Sequence, residues 1–265
     1  MSPEQLLSHY DAARLWSAPS GLDVDAAYAR ALAVRALRVA RGEIPRGYKI
    51  GFTNRGIWPR YGVFAPIWGT VWNTTLSFCE GQGGVALQGP PAATCQPRLE
   101  PECVLGMRST PPPGATLDDL FDCLDWVAPG FEIVQSHLLD WKFGAADTIA
   151  DGALHARLLV GARVPARSLA PDAQALEALL AQTGVRLSRD GQRVDQGVGA
   201  NVLDGPLHAL QHFLQAMRAC PDAPDLQPGD VITTGTWTDA WPVAAGECWT
   251  ADFDAPLSPL EVNFT

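Results

Sequence analysis

A chain of 265 residues with 47 % hydrophobic side chains can bury a substantial core, as one large domain or two small ones, and no linker divides it. Its formal net charge of −10, with no basic cluster, argues against a nucleic-acid or anionic-membrane partner, because phosphate binding needs a concentrated positive face. No apolar run approaches the roughly 18 residues of a membrane span, and the N-terminal MSPEQLLSHYDAARLW lacks a basic region followed by an apolar core, so no membrane partner and a cytoplasmic location are expected.

A single domain over 1–265 is expected, its segment 1–45 mainly helical. Asp23 or Asp25 can cap a helix whose apolar stripe runs through Ala26, Ala29, Ala33, Leu37 and Ala40, with Arg30, Arg35, Arg38 and Arg41 toward solvent or the last turn. Gly42, Pro45 and Gly47 end it, and residues 48–52 read as a short strand. From there to about residue 110, short apolar runs such as 67–72 and 103–106 alternate with Gly and Pro clusters, the pattern of a strongly bent sheet or barrel. Helices are predicted over 116–124, over 170–182 and after Gly205-Pro206, the last with Leu207, Leu210, Phe213, Leu214 and Met217 on its inner stripe. Strands return at 229–235 and 248–253. Because strands do not strictly alternate with helices, the expected class is α+β and not a doubly wound sheet.

Two carboxylates stand at strand spacing in Arg98-Leu99-Glu100-Pro101-Glu102-Cys103. Alternate side chains of an extended segment share a face, so Glu100 and Glu102 project together. Their repulsion is relieved most directly by a divalent cation, and an all-oxygen set selects magnesium, manganese or calcium over zinc or copper. An isolated pair of this kind also occurs on solvated strand faces. Glu132, however, sits in the apolar stretch 127–136, where an unpaired carboxylate is costly to bury. Arg98 is a candidate partner; a metal shared by Glu100, Glu102 and Glu132 accounts for all three acids. The six cysteines show neither CxxC spacing nor the density of a disulfide scaffold and read as buried thiols, Cys103 among them. Arginines outnumber lysines 17 to two, which singles out Lys49 and Lys142 as titratable point charges.

Lys49-Ile-Gly-Phe-Thr53, Gly69-Thr70, Glu100-Pro-Glu102, Phe131-Glu132-Ile-Val, Asp140-Trp-Lys, Asp147-Thr-Ile-Ala-Asp151 and Ile232-Thr-Thr-Gly235 follow one another in an order that resembles the fumarylacetoacetate hydrolase superfamily, from about residue 20 to the C-terminus. The nearest branch is that of the 2-keto-4-pentenoate hydratases and 2-oxo-3-enedioate decarboxylases of aromatic catabolism. The resemblance implies a mixed β-sheet roll or partly open barrel around Mg2+ or Mn2+, assembled as a homodimer or higher homo-oligomer. It implies metal ligation by Glu100, Glu102 and Glu132, an active-site role for Lys49, and positions near the substrate for Thr53, Thr234 and Gly235. The implied substrate is a small anionic 2-oxo acid or its dienol.

Two departures from that pattern bear on mechanism. Related hydratases carry an acid shortly after the Gly-Thr motif, and its place falls near Thr74; a threonine hydroxyl can hold a water but is a poor general base. The Asp-Asn pair expected after Thr-Ile-Ala is here Asp151-Gly152, which leaves His155 as the candidate for the missing acid or base, against a purely structural histidine. His137 is expected on an outer face, and His208 and His212 on a helix surface without a third metal ligand. Trp58, Trp68, Trp72, Trp237 and Trp241 suit either an apolar wall beside the substrate or ordinary packing, with Asp239 facing the same cavity. The expected activity is a metal-dependent lyase, a hydratase of a 2-hydroxydienoate. The alternatives are a 2-oxo-3-enedioate decarboxylase, an acylpyruvate-type hydrolase and a catalytically weak partner subunit.

Overall fold

The computed structural model describes residues 1–88 and 93–265. Two helices, α1 (Pro3–Asp11) and α2 (Val24–Ala40), precede strand β1 (Pro45–Gly51), the short helix α3 (Trp58–Tyr61) and strands β2 (Ile67–Trp72), β3 (Leu76–Phe78) and β4 (Gln82–Val85). Strand β5 (Arg98–Met107), helix α4 (Leu117–Cys123) and strand β6 (Leu124–Val134) follow, then α5 (Ala145–Ala150), β7 (His155–Val160) and β8 (Val164–Pro165). The remainder runs α6 (Ala166–Leu169), α7 (Ala173–Gln182), β9 (Gly184–Arg189), β10 (Gln192–Val198), α8 (Pro206–Ala219), β11 (Val231–Thr236), β12 (Trp241–Pro242), β13 (Cys248–Phe253) and β14 (Leu260–Phe264).

The class is α+β, with a nine-stranded sheet curled into a half-barrel in the order β2-β1-β11-β5-β6-β7-β3, to which β12 adds at β5 and β8 at β6. A five-stranded sheet, β10-β9-β13-β14-β4, stands beside it. Both are mixed, since β1 with β11, β3 with β7 and β4 with β14 run parallel while the remaining pairs are antiparallel. The curl gives the long sheet two unlike faces. Outward, Tyr48, Ile50, Leu105 and Ile232 pack with the buried stripes of α4, α7 and α8, including Leu207, Leu210, Phe213, Leu214 and Met217. Inward, Val71, Val104, Ala128, Leu158, Val160 and Val231 fill one end of the half-barrel.

Helix starts obey the capping chemistry in the sequence. Asp23 accepts from the Ala26 amide at 2.8 Å, Thr116 and Asp119 form a reciprocal capping box, and Pro206 opens α8. The buried face of α2 differs from the alanine stripe expected: it runs through Ala27, Ala31 and Val34 to Arg38, while Ala29 and Ala40 are exposed. Arg38 is buried because its charge is met by Glu43 and its plane lies over Tyr10 and Trp72, 4.7 and 4.3 Å from the ring centroids.

Candidate active site

Strands β5, β6, β1 and β11 build the centre of the inner face. In the β5/β6 register Glu100 lies directly opposite Glu132, and Glu102 opposite Gly130, so the three acids occupy one side of one strand pair. One carboxylate oxygen from each lies within 4.8 Å of the others. Glu102 and Glu132 are fully buried, and Glu100 sits at the mouth with 15 % of its side chain exposed. Lys49, beside Thr233 in the parallel β1/β11 register, places Nζ 2.9 Å from Glu132 Oε2 and 3.8 Å from Glu100 Oε2. Lys49, and not Arg98, is therefore the cation paired with Glu132; the Arg98 guanidinium stacks 4.3 Å over Trp141 and donates to the Ala240 carbonyl.

One cation among three acids leaves excess negative charge, and protonation follows it. Burial, reinforced by Glu132, pushes Glu100 up to about 7, and burial with both neighbouring glutamates raises Glu102 well above the carboxylate range. Burial also works against ionised Glu132, but Lys49 and His155 outweigh it and hold this group below its ordinary value. For Lys49 the three acids outweigh the opposing effect of burial, and its pKa is raised.

His155, at the start of β7, is buried behind Glu132. Burial favours the neutral ring, whose Nδ1 donates to Glu132 Oε1 at 2.8 Å while Nε2 accepts from the Thr75 hydroxyl at 2.8 Å. Thr75 is the threonine that turns inward. Thr74, expected at the substrate, is exposed and donates to Glu43 at 2.9 Å, because the 73–75 turn after β2 sends its side chain to the rim. Gly69 lets the turn that precedes β7 pass close to β2: a Cβ there would fall 2.2 Å from the Gly152 carbonyl oxygen.

A cavity of about 460 Å3 opens over the acids, lined by Lys49, Thr53 and Glu100 and, from β11 onward, by Gly235, Trp237 and Asp239. Gly235, at φ +99°, donates its N–H to Glu102 Oε2 at 2.8 Å and leaves room for Thr53, whose hydroxyl a Cβ would meet at 1.9 Å. Thr234 does not line the cavity; it is fully buried and its hydroxyl donates to the Cys103 carbonyl across the strand pair. His155 does not line it either; its partner Glu132 is itself buried beneath the cavity, behind Lys49 and Glu100. Of the expected tryptophans Trp237 alone reaches this wall, whereas Trp68 and Trp72 face the N-terminal helices. The aromatic wall comes instead from Phe52, Tyr61, Phe143 and Trp141, successive rings 4.8, 5.9 and 5.8 Å apart. These lie in three separated segments, and no spacing in the sequence joins them.

The remaining histidines are structural. His137 is fully buried, not on an outer face; Asp151 sits 2.6 Å from its Nδ1, outweighs the opposing effect of burial and raises it to about 10. His208 pairs with Glu177, and His212 shares no metal site with it among the described residues. Cys95, Cys103 and Cys123 are buried, while Cys79, Cys220 and Cys248 are half-buried. Lys142 is exposed and paired with Asp140.

The chain is 30 % identical over 227 residues to 2-hydroxyhexa-2,4-dienoate hydratase of Comamonas testosteroni, covering 85 % of this chain and 81 % of that one. It is 31 % identical over 204 residues to 4-oxalocrotonate decarboxylase of a Pseudomonas species, covering 77 % and 72 %. The structure of 4-oxalocrotonate decarboxylase from Pseudomonas putida G7, complexed with magnesium and adipate, matches its fold with a TM-score of 0.85 at 23 % identity, over 100 % of this chain and 99 % of that one. No family model matches the chain.

Proposed function

The chain belongs to the hydratase and decarboxylase branch of the fumarylacetoacetate hydrolase superfamily, and from that premise we propose that it is a divalent-metal-dependent hydratase of a 2-hydroxydienoate. The observation that carries this is the convergence of Glu100, Glu102 and Glu132 beneath an open cavity, with Lys49 in their midst. The residues fit a hard cation: the donor set is all oxygen, and Glu102 Oε1 is buried without a hydrogen-bond partner. Mg2+ or Mn2+ is the ion such a set takes, and relatives of this fold have been solved with magnesium and with manganese.

A bound divalent ion supplies an electron sink for the 2-oxo group of a chelating acid. The chain's own groups do the rest. The Lys49 ammonium lies beside the position where negative charge develops, stabilises it, and is the group placed to return a proton to the substrate carbon chain. Thr53 and Gly235 wall the reacting end, and Thr75 with His155 fixes the orientation of Glu132. The rest of the cavity favours hydration over decarboxylation of a dicarboxylate. Its far wall is aromatic, and Asp195 and Asp239 add negative charge. The homo-oligomer, the place in aromatic catabolism and the cytoplasmic location belong to the same proposal.

The test is turnover of 2-hydroxypenta-2,4-dienoate with Mg2+ or Mn2+. Loss of dienol absorbance with incorporation of water, abolished in Glu132→Ala, is expected. Carbon dioxide release from 2-oxo-3-enedioate in place of hydration identifies the decarboxylase. Cleavage of an acylpyruvate identifies the hydrolase, and inertness with tight oxo-acid binding identifies the partner subunit.

A further inference from the structure

The Asp140-Trp-Lys segment follows β6 and brings Trp141 to the wall of the substrate cavity. Two consecutive residues in it, Asp140 at φ +56° and Trp141 at φ +58°, and a third that bonds to both, Gln96 at φ +49°, take left-handed backbone although each carries a Cβ. Gln96 also precedes Pro97, and a proline pushes the residue before it toward extended backbone. Such conformations persist only where the surroundings over-determine them, and they gather at functional sites.

Burial does not hold this segment. Leu139 is 60 % exposed, Asp140 and Lys142 are exposed, and the ion pair between those two is solvated. Beyond the segment's own turn bonds, the hold comes from Gln96. Its Nε2 donates to the Ser136 and Leu138 carbonyls at 2.8 and 2.9 Å, its Oε1 accepts the Asp140 N–H at 2.8 Å, and its main-chain oxygen accepts the Trp141 indole N–H at 3.0 Å. A primary amide is the side-chain group with two donors and an acceptor to match that pattern. Its base is fixed in turn, since Cys95 donates its N–H to Gln135 Oε1 and accepts the Ser136 N–H.

The consequence reaches the substrate through the Trp141 ring. Arg98, whose guanidinium lies 4.3 Å over that ring, stands two residues before Glu100 on the same face of β5, about 7 Å along the strand. Burial deepens from half-buried Arg98 through Glu100 to fully buried Glu102, so this step leads toward the opening, while Val104 and Leu158 close the other direction. A 2-oxo acid chelated at the acids is held there by its first two carbons, which leaves its more distant carbons to run past Trp141.

We propose, on the basis of the hydratase reading, that Gln96 is a positioning residue: it holds Trp141 in one backbone and ring position as the wall against which the substrate's tail is read. Gln96 thereby sets discrimination between tails and leaves chelation at the acids untouched.

The experiment titrates 2-oxobutanoate and 2-oxo-4-phenylbutanoate by calorimetry into the Mg2+-loaded full-length protein, as wild type, Gln96→Glu, Gln96→Met and Trp141→Ala. Neither acid has the conjugated double bond that hydration needs, so binding is read without turnover. Gln96→Glu keeps an acceptor for Asp140 but sets a carboxylate oxygen against two carbonyls, and Gln96→Met removes every side-chain bond at similar length. Wild type is expected to bind the phenyl acid about 10-fold more tightly than the short one, a ratio that falls to within about 3-fold in all three variants while affinity for 2-oxobutanoate is kept. The indole N–H resonance missing from Trp141→Ala identifies Trp141. In both Gln96 variants that resonance should lose its protection from exchange while the other indoles keep theirs, which separates a displaced ring from a weakened fold. Trp141→Ala, at a half-buried position, remains informative if a Gln96 variant does not fold, because an unchanged ratio there removes the wall itself. Wild-type discrimination with intact Trp141 protection in the Gln96 variants, or equal weakening of both acids with every indole affected, would overturn the assignment alone. Binding of neither acid by wild type would overturn the 2-oxo acid reading, and the proposal with it.

Discussion

Lys49 is the counter-charge that three acids share, and its removal separates binding from chemistry. In Lys49→Met the carboxylates keep their places on β5 and β6, so metal titration should give an affinity equal to or tighter than wild type, while kcat falls about 10²–10⁴-fold. Unchanged turnover would make Lys49 a scaffold. His155 acts one step back from the site. His155→Ala leaves Glu132 Oε1 without its donor, and a metal affinity about 10–100-fold weaker is expected by calorimetry, with His155→Asn recovering part of it. His137 carries a stability prediction instead. Its folded pKa of about 10 lies above the ordinary 6.5, so its pairing with Asp151 stabilises fully below about pH 6.5 and is lost as pH climbs through about 10. Urea unfolding at pH 6 and pH 10 should show that loss in wild type and not in His137→Ala, which costs about 3–5 kcal/mol at neutral pH by stranding Asp151. The glutamates were legible because a strand's two-residue period and an apolar context act on each residue locally. Which of Thr74 and Thr75 turns inward was not, since it depends on the turn after β2 and on a histidine 80 positions away.

At the scale of elements, close approach and shared walls decide what the site can do. β2 and the turn before β7 meet over Gly69, and Gly69→Ala puts a methyl 2.2 Å from the Gly152 oxygen. A loss of about 1–3 kcal/mol in unfolding free energy is expected, together with weaker metal binding because His155 moves with that turn. A thermal scan and a metal titration on one sample test both. The arc Phe52, Tyr61, Phe143 and Trp141 gives an apolar wall to the cavity over the acids. Dienoates with a neutral alkyl or aryl tail are therefore expected to show kcat/KM at least 10-fold above a tail ending in carboxylate, and Phe143→Ala should erase most of that preference. Elements with clear start signals, the capping box of α4 and Pro206 at the first turn of α8 among them, were readable from sequence. The inner face of α2 was not, because Arg38 is buried through Glu43, Tyr10 and Trp72, partners that no helical periodicity reports.

For the molecule as a whole, the acid cluster sets function against stability. A half-barrel that buries three carboxylates around one lysine carries a like-charge strain that an ion relieves, so the fold is tied to metal by linkage. Free Mg2+ or Mn2+ at 100 times its Kd contributes about 2.7 kcal/mol, which for a chain of this size raises Tm by about 5–10 °C and is reversed by a chelator. Glu102→Gln isolates that balance. Its amide oxygen can still accept from the Gly235 N–H, and it is uncharged like the protonated carboxyl it replaces in the metal-free protein, where burial and the two neighbouring glutamates hold Glu102 in its neutral form. The metal-free variant should therefore melt at or above the metal-free wild type, fail to gain from added ion, and turn over no dienoate. Calorimetric scans of both proteins with and without ion test the crossing. A metal-free variant that melts several degrees below wild type would mean that Glu102 is held for packing, and that its burial in the half-barrel is not a cost carried for the ion.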